Sequence, residues 1–159
     1  MSFNFNFRRT IDLRNEEIKE IIEIFNISFN LRISNEQLIK KYCNNKFGYS
    51  FHCLYRDKYK NLIGIYTFIP KIFLVNSELK YGLQTVDTCF PYKGIAFVIK
   101  DSVLRLVNFS QFYINPLSFI YGFPNKKFKN LSEHIFDWEK LVPLITYIDL
   151  LPLLSLIFS

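Results

Sequence analysis

Cysteine is scarce in this 159-residue chain, and its three copies, Cys43, Cys53 and Cys89, show no Cys-x-x-Cys spacing. Only two histidines, His52 and His134, accompany them, so no zinc pattern forms. An odd thiol count without a disulfide framework implies reduced cysteines and a cytoplasmic protein. Glycine and proline are also sparse, at 5 and 6 residues, and no low-complexity linker or internal repeat divides the chain. The length is that of a single domain, residues 1–159, with room for a real core. A signal-peptide core is missing from the N-terminus, which alternates polar and apolar residues from Phe3 to Arg9. An uninterrupted apolar run of the ~20 residues that a membrane span needs is missing too. Leu141 to Phe158 is almost wholly apolar, but Pro143, Asp149 and Pro152 break it. Two buried strands or turns are expected there, with a peripheral membrane or partner contact as the alternative.

What is abundant is apolar and aromatic. Hydrophobic residues make up 50% and charged residues 21%, which excludes global disorder. The net charge of +6 favours a polyanionic ligand. The basic residues, however, are scattered (Arg8, Arg9, Lys40, Lys41, Lys58, Lys60, Lys126, Lys127 and Lys129 among them) rather than massed on one helix, and no nucleic-acid partner is expected.

Periodicity predicts the order β-α-α-β-β-β-α-β-α-β, a mixed, mostly antiparallel α/β sheet with helices on both faces. A strand of period two runs from Phe3 to Arg9. Asn15-Glu16-Glu17 caps a helix to about Phe29, and Ser34 starts a second one through Tyr42. Ser50–Arg56 and Leu62–Phe68 form a hairpin around the polar turn 57–61. Pro70 ends its regular part, Ile72–Val75 continues it, and Glu78–Phe90 follows as the next strand. A helix spans Ile95–Val107, with Ile95, Val98, Ile99, Ser102 and Leu106 as a core stripe. The strand Ser118–Gly122, a short helix Leu131–Phe136 and a last strand Val142–Ile148 complete the order.

The most telling stretch is 82–97. A strand stops at Pro91, a short basic turn holds Lys93 and Gly94, and a helix begins, so that backbone amides and a helix N-terminus converge as a phosphate cradle. Tyr121-Gly122-Phe123-Pro124-Asn125 is a second strand end broken by Gly and Pro. Two such strand ends side by side suggest a cleft for a phosphorylated cofactor.

That order, with its basic glycine turn between the fourth strand and third helix, resembles the GNAT acyltransferase superfamily. It is most similar to the GNAT-like proteins of bacterial surface-polysaccharide functions. Tyr42 to Ser50 resembles their "Tyr-x-x-Asn-Pro-x-Gly-x-Ser" entry to the second strand. Leu62–Pro70, Gln84–Thr88 and Tyr121–Asn125 resemble their third, fourth and fifth strands. The resemblance spans roughly residues 5–148. Two departures stand out. The superfamily's turn usually begins with Arg or Gln, and that position falls on Pro91 here, leaving a turn about two residues short. The fourth-helix Tyr that protonates the leaving thiolate in many members falls on Ser132. Relatives of this type often continue into a second half, so the apolar end reads as a truncation.

The resemblance implies acetyl transfer from acetyl-CoA, as co-substrate, to a small-molecule amine acceptor such as an amino sugar or nucleotide sugar. By the same resemblance, the strand end at Val86, Asp87 and Thr88 supplies a backbone N–H to the thioester oxygen. Cys89 and Phe90 pair by backbone with the pantetheine arm, as an added strand does. Lys93, Gly94, Ile95 and Ala96 hold the pyrophosphate, and Asn125 bonds the pantetheine amide. Asp87 is the candidate general base and Tyr121 the candidate acid; a carboxylate at a strand kink and a rim tyrosine are the alternatives. Cys89 is not expected to be a nucleophile, since no histidine lies near it in sequence. A non-catalytic or degenerate module of this fold, binding acyl-CoA or a partner, is the rival reading. An apolar C-terminal edge strand would favour a homodimer.

Overall fold

The computed structural model of the chain describes residues 4–90 and 96–123. The strands are β1 (Asn4–Arg9), β2 (Phe51–Arg56), β3 (Leu62–Val75), β4 (Glu78–Cys89) and β5 (Leu117–Gly122). Helices α1 (Asn15–Phe29) and α2 (Asn35–Cys43) lie between β1 and β2, and α3 (Ala96–Gln111) lies between β4 and β5. The strands form one sheet in the order β1-β2-β3-β4-β5. The first three pairings are antiparallel, and β4–β5, joined through the crossover helix α3, is parallel. This is the mixed, mostly antiparallel α/β architecture expected from the sequence. The expected helix at 131–136 and strand at 142–148 lie outside the described residues.

Local chemistry sets the helix starts. At α2, Ser34 Oγ accepts from the Gln37 N–H at 3.2 Å and the Gln37 side chain accepts from the Ser34 N–H at 2.8 Å, a reciprocal capping box. At α1, within the expected Asn15-Glu16-Glu17 cap, Asn15 is the first helical residue and Arg14 holds the cap position. Glu17, not Asn15, satisfies the helix start, accepting from the Arg14 N–H at 3.0 Å. α1 ends where Asn30 adopts a left-handed φ of 52°, a conformation Asn tolerates better than most residues.

The sheet is buried on both sides by two separate half-cores. Phe51, Cys53 and Tyr55 of β2 and Tyr66 and Phe68 of β3 face α3 through Ile99, Val103 and Leu106. The alternate residues Leu54, Ile65 and Ile69 face α1 and α2 through Ile21, Ile24, Phe25, Leu38 and Tyr42. Period-two alternation thus serves two apolar faces, and β2 is buried along its whole length.

Pro70 does not interrupt β3. The strand runs on to Val75, with Pro70 opposite Leu83 of β4. Pairing with β2 ends at Phe68, so the side of β3 that faces β2 is already released at Pro70 and its missing N–H forfeits no ladder bond there.

Gly64 is required by a close approach. A Cβ at this position would lie 2.3 Å from the ring of Phe90, which stacks edge-on against Tyr55 with ring centroids 4.7 Å apart. Gly64→Ala is expected to displace that ring and cost ~1–3 kcal/mol. In the Phe90→Leu background, with no ring to displace, the same substitution should cost less than half as much by urea unfolding. Equal costs in both backgrounds would show that the clash lies elsewhere.

Candidate active site

The defining local feature is a bulge near the end of β4. Thr67 faces Val86 and Ile65 faces Cys89, so a single β3 residue, Tyr66, opposes two on β4, Asp87 and Thr88. Asp87 takes a φ of 45°, one of the few non-glycine residues with positive φ among those described. The bulge changes the phase of the strand. Val86 and Cys89, three residues apart instead of two or four, both pack into the α1–α2 half-core. Asp87 is thereby turned toward α2.

Beside the bulge the sheet opens. The parallel pairing of β4 with β5 ends at Thr85 opposite Gly122, whereas β4 continues to Cys89. Among the described strands, Val86–Cys89 have no registered partner on the β5 side. That edge carries backbone donors and acceptors in the spacing that an extended amide-bearing arm can pair with, as an added strand would.

The Asp87 carboxylate is gripped from α2. Lys41 Nζ lies 2.8 Å from Oδ1 and 2.7 Å from Oδ2, and Tyr42 Oη donates to Oδ2 at 2.9 Å. The Asp87 side chain retains only 11% exposure and that of Lys41 35%, with the ammonium 4.6 Å from the ring centroid of Phe25. Tyr42 is fully buried, and burial followed by the Asp87 charge raises its phenol well above the usual tyrosine value.

Tyr42 is held in turn by the loop entering β2. Its carbonyl accepts from Ser50 Oγ at 2.6 Å and from Asn45 Nδ2 at 2.9 Å, while Asn45 also reaches the Tyr49 carbonyl. Gly48 closes this loop at a φ of 73°. The Tyr42 ring meets the buried His52 ring edge-on, with centroids 4.8 Å apart. His52 bridges Thr10 Oγ1 at 2.9 Å and Thr67 Oγ1 at 3.0 Å. Burial lowers its pKa to about 3, which keeps the ring neutral and rules it out as a proton acceptor near neutral pH.

Of the residues singled out from the sequence, Val86, Asp87, Thr88 and Cys89 lie together on the bulge. Phe90 follows directly and turns its ring into the α3-side core instead of the cleft. Ala96 is the first residue of α3. Lys93, Gly94, Ile95 and Asn125 lie outside the described residues. Tyr121 stands on β5 opposite Gln84, three β4 residues before Asp87, a separation of ~10 Å along the strand. Its ring belongs to an aromatic row with Phe73, Phe119 and Phe123, and burial raises its phenol pKa. The Cys89 thiol is pushed up by burial and then by the Asp87 charge, which makes it a poor nucleophile.

Sequence reading did not assign roles to Lys41, Tyr42 or His52. Tyr42 and Ser50 were visible only as the ends of a motif, with nothing to say that a side chain 45 positions away was the target. The change of phase between Leu83 and Cys89 was the one available signal of a bulge.

A separate recess of about 530 Å³ lies between α1 and the β2–β3 turn, lined by Glu20, Glu23, Ile27, Asp57 and Asn61 among others. Two of its carboxylates are engaged: Glu20 pairs with Arg56 at 2.6 Å, and Asp57 accepts from the Tyr59 and Asn61 N–H groups of its own turn. Among the described residues, no helix is long and apolar enough to cross a membrane.

Neither a protein-family model nor a curated protein matches the chain. Solved structures do, and they carry one fold. A predicted acetyltransferase with acetyl-CoA from Clostridium acetobutylicum aligns with a TM-score of 0.64 at 12% identity, over 94% of this chain and 98% of the other. Glucosamine-6-phosphate N-acetyltransferase from Arabidopsis thaliana aligns with a TM-score of 0.59 at 12% identity, over 92% and 99%. An aminoglycoside antibiotic 6'-N-acetyltransferase from Acinetobacter baumannii aligns with a TM-score of 0.63 at 7% identity, over 89% and 95%. At these identities the likeness is one of fold: the described residues have the architecture of the GNAT acetyltransferases.

Proposed function

We propose that this protein is an N-acetyltransferase that moves an acetyl group from acetyl-CoA to the amine of a small acceptor. The observation that carries the reading is the bulged end of β4, which among the described strands has no registered partner on its β5 side, so that a fixed carboxylate and a strand edge meet beside a parting of two strands. Structural neighbours include complexes with CoA and acetyl-CoA, and a co-substrate of that kind suits this edge.

In this reading, the backbone of Val86 to Cys89 receives the pantetheine arm, and an N–H at the bulge donates to the thioester oxygen as it gains charge. The Lys93, Gly94, Ile95 and Ala96 segment binds the pyrophosphate ahead of α3, and Asn125 bonds the pantetheine amide. Asp87 takes the proton of the incoming ammonium. Its Oδ2 is shared by Tyr42 and Lys41, whereas Oδ1 meets Lys41 alone, so Oδ1 is the oxygen an acceptor amine can reach. The amine then attacks the carbonyl carbon, the C–N bond forms and the C–S bond breaks; the proton shed by nitrogen on forming the amide balances the one the departing CoA thiolate takes up, and Asp87 passes its own proton to solvent. In this reading Tyr121, on the neighbouring strand β5 and ~10 Å along the sheet from Asp87, relays the proton to the thiolate. An amino sugar or nucleotide sugar is the acceptor class suggested by the resemblance to polysaccharide-modifying relatives.

A thermal-shift titration tests this. Acetyl-CoA at a hundredfold excess over Kd is expected to stabilise the protein by ~2–3 kcal/mol, with CoA acting similarly and ATP not at all. Gly94→Glu should abolish the gain by placing a carboxylate where the pyrophosphate binds. No shift at millimolar acetyl-CoA would overturn the reading and favour a non-catalytic module of the same fold.

A further inference from the structure

The segment from Tyr42 to Ser50 is explained neither by core packing alone nor by the cofactor edge. Tyr42 is a large, fully buried side chain whose one polar atom ends on the carboxylate of a residue with positive φ. Its backbone carbonyl is tied by Ser50 and Asn45, and its ring is braced by His52, which is itself fixed from two sides by Thr10 and Thr67. The chain of contacts therefore runs from the turn after β1 and from β3, through a neutral imidazole and a buried ring, to one oxygen of Asp87.

We infer that Tyr42 is a positioning residue: a strut from α2 that holds the Asp87 carboxylate, and with it the β4 bulge, in the geometry that acetyl transfer uses. This inference rests on the function proposed above. A phenol suits the task for two reasons. It reaches Asp87 with few rotatable bonds, so little conformational freedom remains at the carboxylate. Its donor is neutral, so it orients Oδ2 without adding a second cation beside Lys41, leaving Oδ1 as the contact that an incoming ammonium can contest.

The test uses the full chain and compares Tyr42→Phe, which keeps the ring against His52 and deletes one hydroxyl, with Val103→Ala on the opposite half-core. Val103 is 6% exposed and packs under α3, so its truncation lowers stability without touching the strut. Acetyl-CoA turnover is followed by CoA release, and the backbone amides of Val86 to Cys89 are followed by ¹⁵N NMR. Tyr42→Phe is expected to lower kcat ~10-fold or more, with KM for acetyl-CoA changed less than ~3-fold, and to shift the bulge amides. Val103→Ala should do neither. In the Asp87→Asn background the same Tyr42→Phe change should lower kcat by less than ~2-fold, because the group it positions is gone. Unshifted bulge amides in Tyr42→Phe, or an equal loss of kcat in both Asp87 backgrounds, would overturn the strut. Absence of turnover in the wild-type protein would overturn the proposed function instead, and the amide shifts would still decide for or against the strut.

Discussion

Asp87→Asn is expected to lower kcat for acetyl transfer by ~10²-fold or more while acetyl-CoA affinity stays within about threefold of wild type. The argument is geometric. Asp87 is the residue around which β4 bulges, it takes a φ of 45°, and its carboxylate is placed by Lys41 and Tyr42 at distances of 2.7 to 2.9 Å. Asn keeps the volume, tolerates the positive φ and can still accept from Tyr42 Oη, so the bulge should persist. What it loses is the ability to take a proton from an ammonium and the charge that pairs with one. Cofactor binding, which relies on backbone groups of the same strand, should therefore survive a substitution that removes the chemistry. Isothermal titration with acetyl-CoA, alongside steady-state kinetics with an amine acceptor, separates the two. If kcat is unchanged, Asp87 is a kink-stabilising carboxylate and the proton leaves by another path.

The second large effect is on stability against acid. His52 is fully buried and is kept neutral by burial, with a pKa of about 3 against an ordinary value of 6.5. The unfolded chain therefore takes up this proton at a higher pH than the folded one. The stabilising contribution is complete above pH ~6.5 and is lost progressively as pH falls toward 3, to a total on the order of 5 kcal/mol. Between pH 7 and 5 the share from His52 is about 2 kcal/mol. Three carboxylates act at lower pH, Asp57 among them, which desolvation raises but the turn hydrogen bonds from Asn61 and Tyr59 lower further. Asp12 is lowered chiefly by its hydrogen bond from Arg9. Glu17 is raised by burial but lowered further by the Arg14 N–H, the Arg14 guanidinium and Arg8. Their contributions are present above the ordinary carboxylate values and fade below them, so the interval from pH 7 to 5 reports mainly on His52. Urea unfolding at the two pH values should show the full difference in the wild type and little of it in His52→Gln, whose amide can still bond Thr10 and Thr67. A wild type with equal stability at pH 7 and 5 would mean that the ring titrates as though exposed.

How much of this was legible beforehand depends on the range of the interaction. Ser34 and Gln37 announce α2 because a capping box is closed within four residues, and the turn 57–61 closes through the carboxylate of Asp57. Alternation in β2 and the stripe Ile99, Ser102 and Leu106 in α3 foretell buried faces, since side-chain period follows from backbone geometry. Glycine and proline at 122 and 124 marked the strand end beside which the sheet parts. Those local rules were enough for the α/β class, the order of elements in the described residues and the stretch of β4 that matters.

They failed where two distant segments had to agree. Pro70 looked like a strand terminator because a single strand cannot show that its neighbour has already departed; the tertiary register at Phe68 decides it. The grip of Lys41 and Tyr42 on Asp87 joins residues 45 or more positions apart, and a phenol reads as core until its oxygen is located. Gly64 was one more β-strand residue until the Phe90 ring was found 2.3 Å from where its Cβ would stand. The sequence by itself determined which segments are helix and strand and which residues seek the interior, because those depend on neighbours along the chain. Only the tertiary structure decided which polar groups survive in that interior, since a buried carboxylate, phenol or imidazole is tolerated solely where another element brings it a partner.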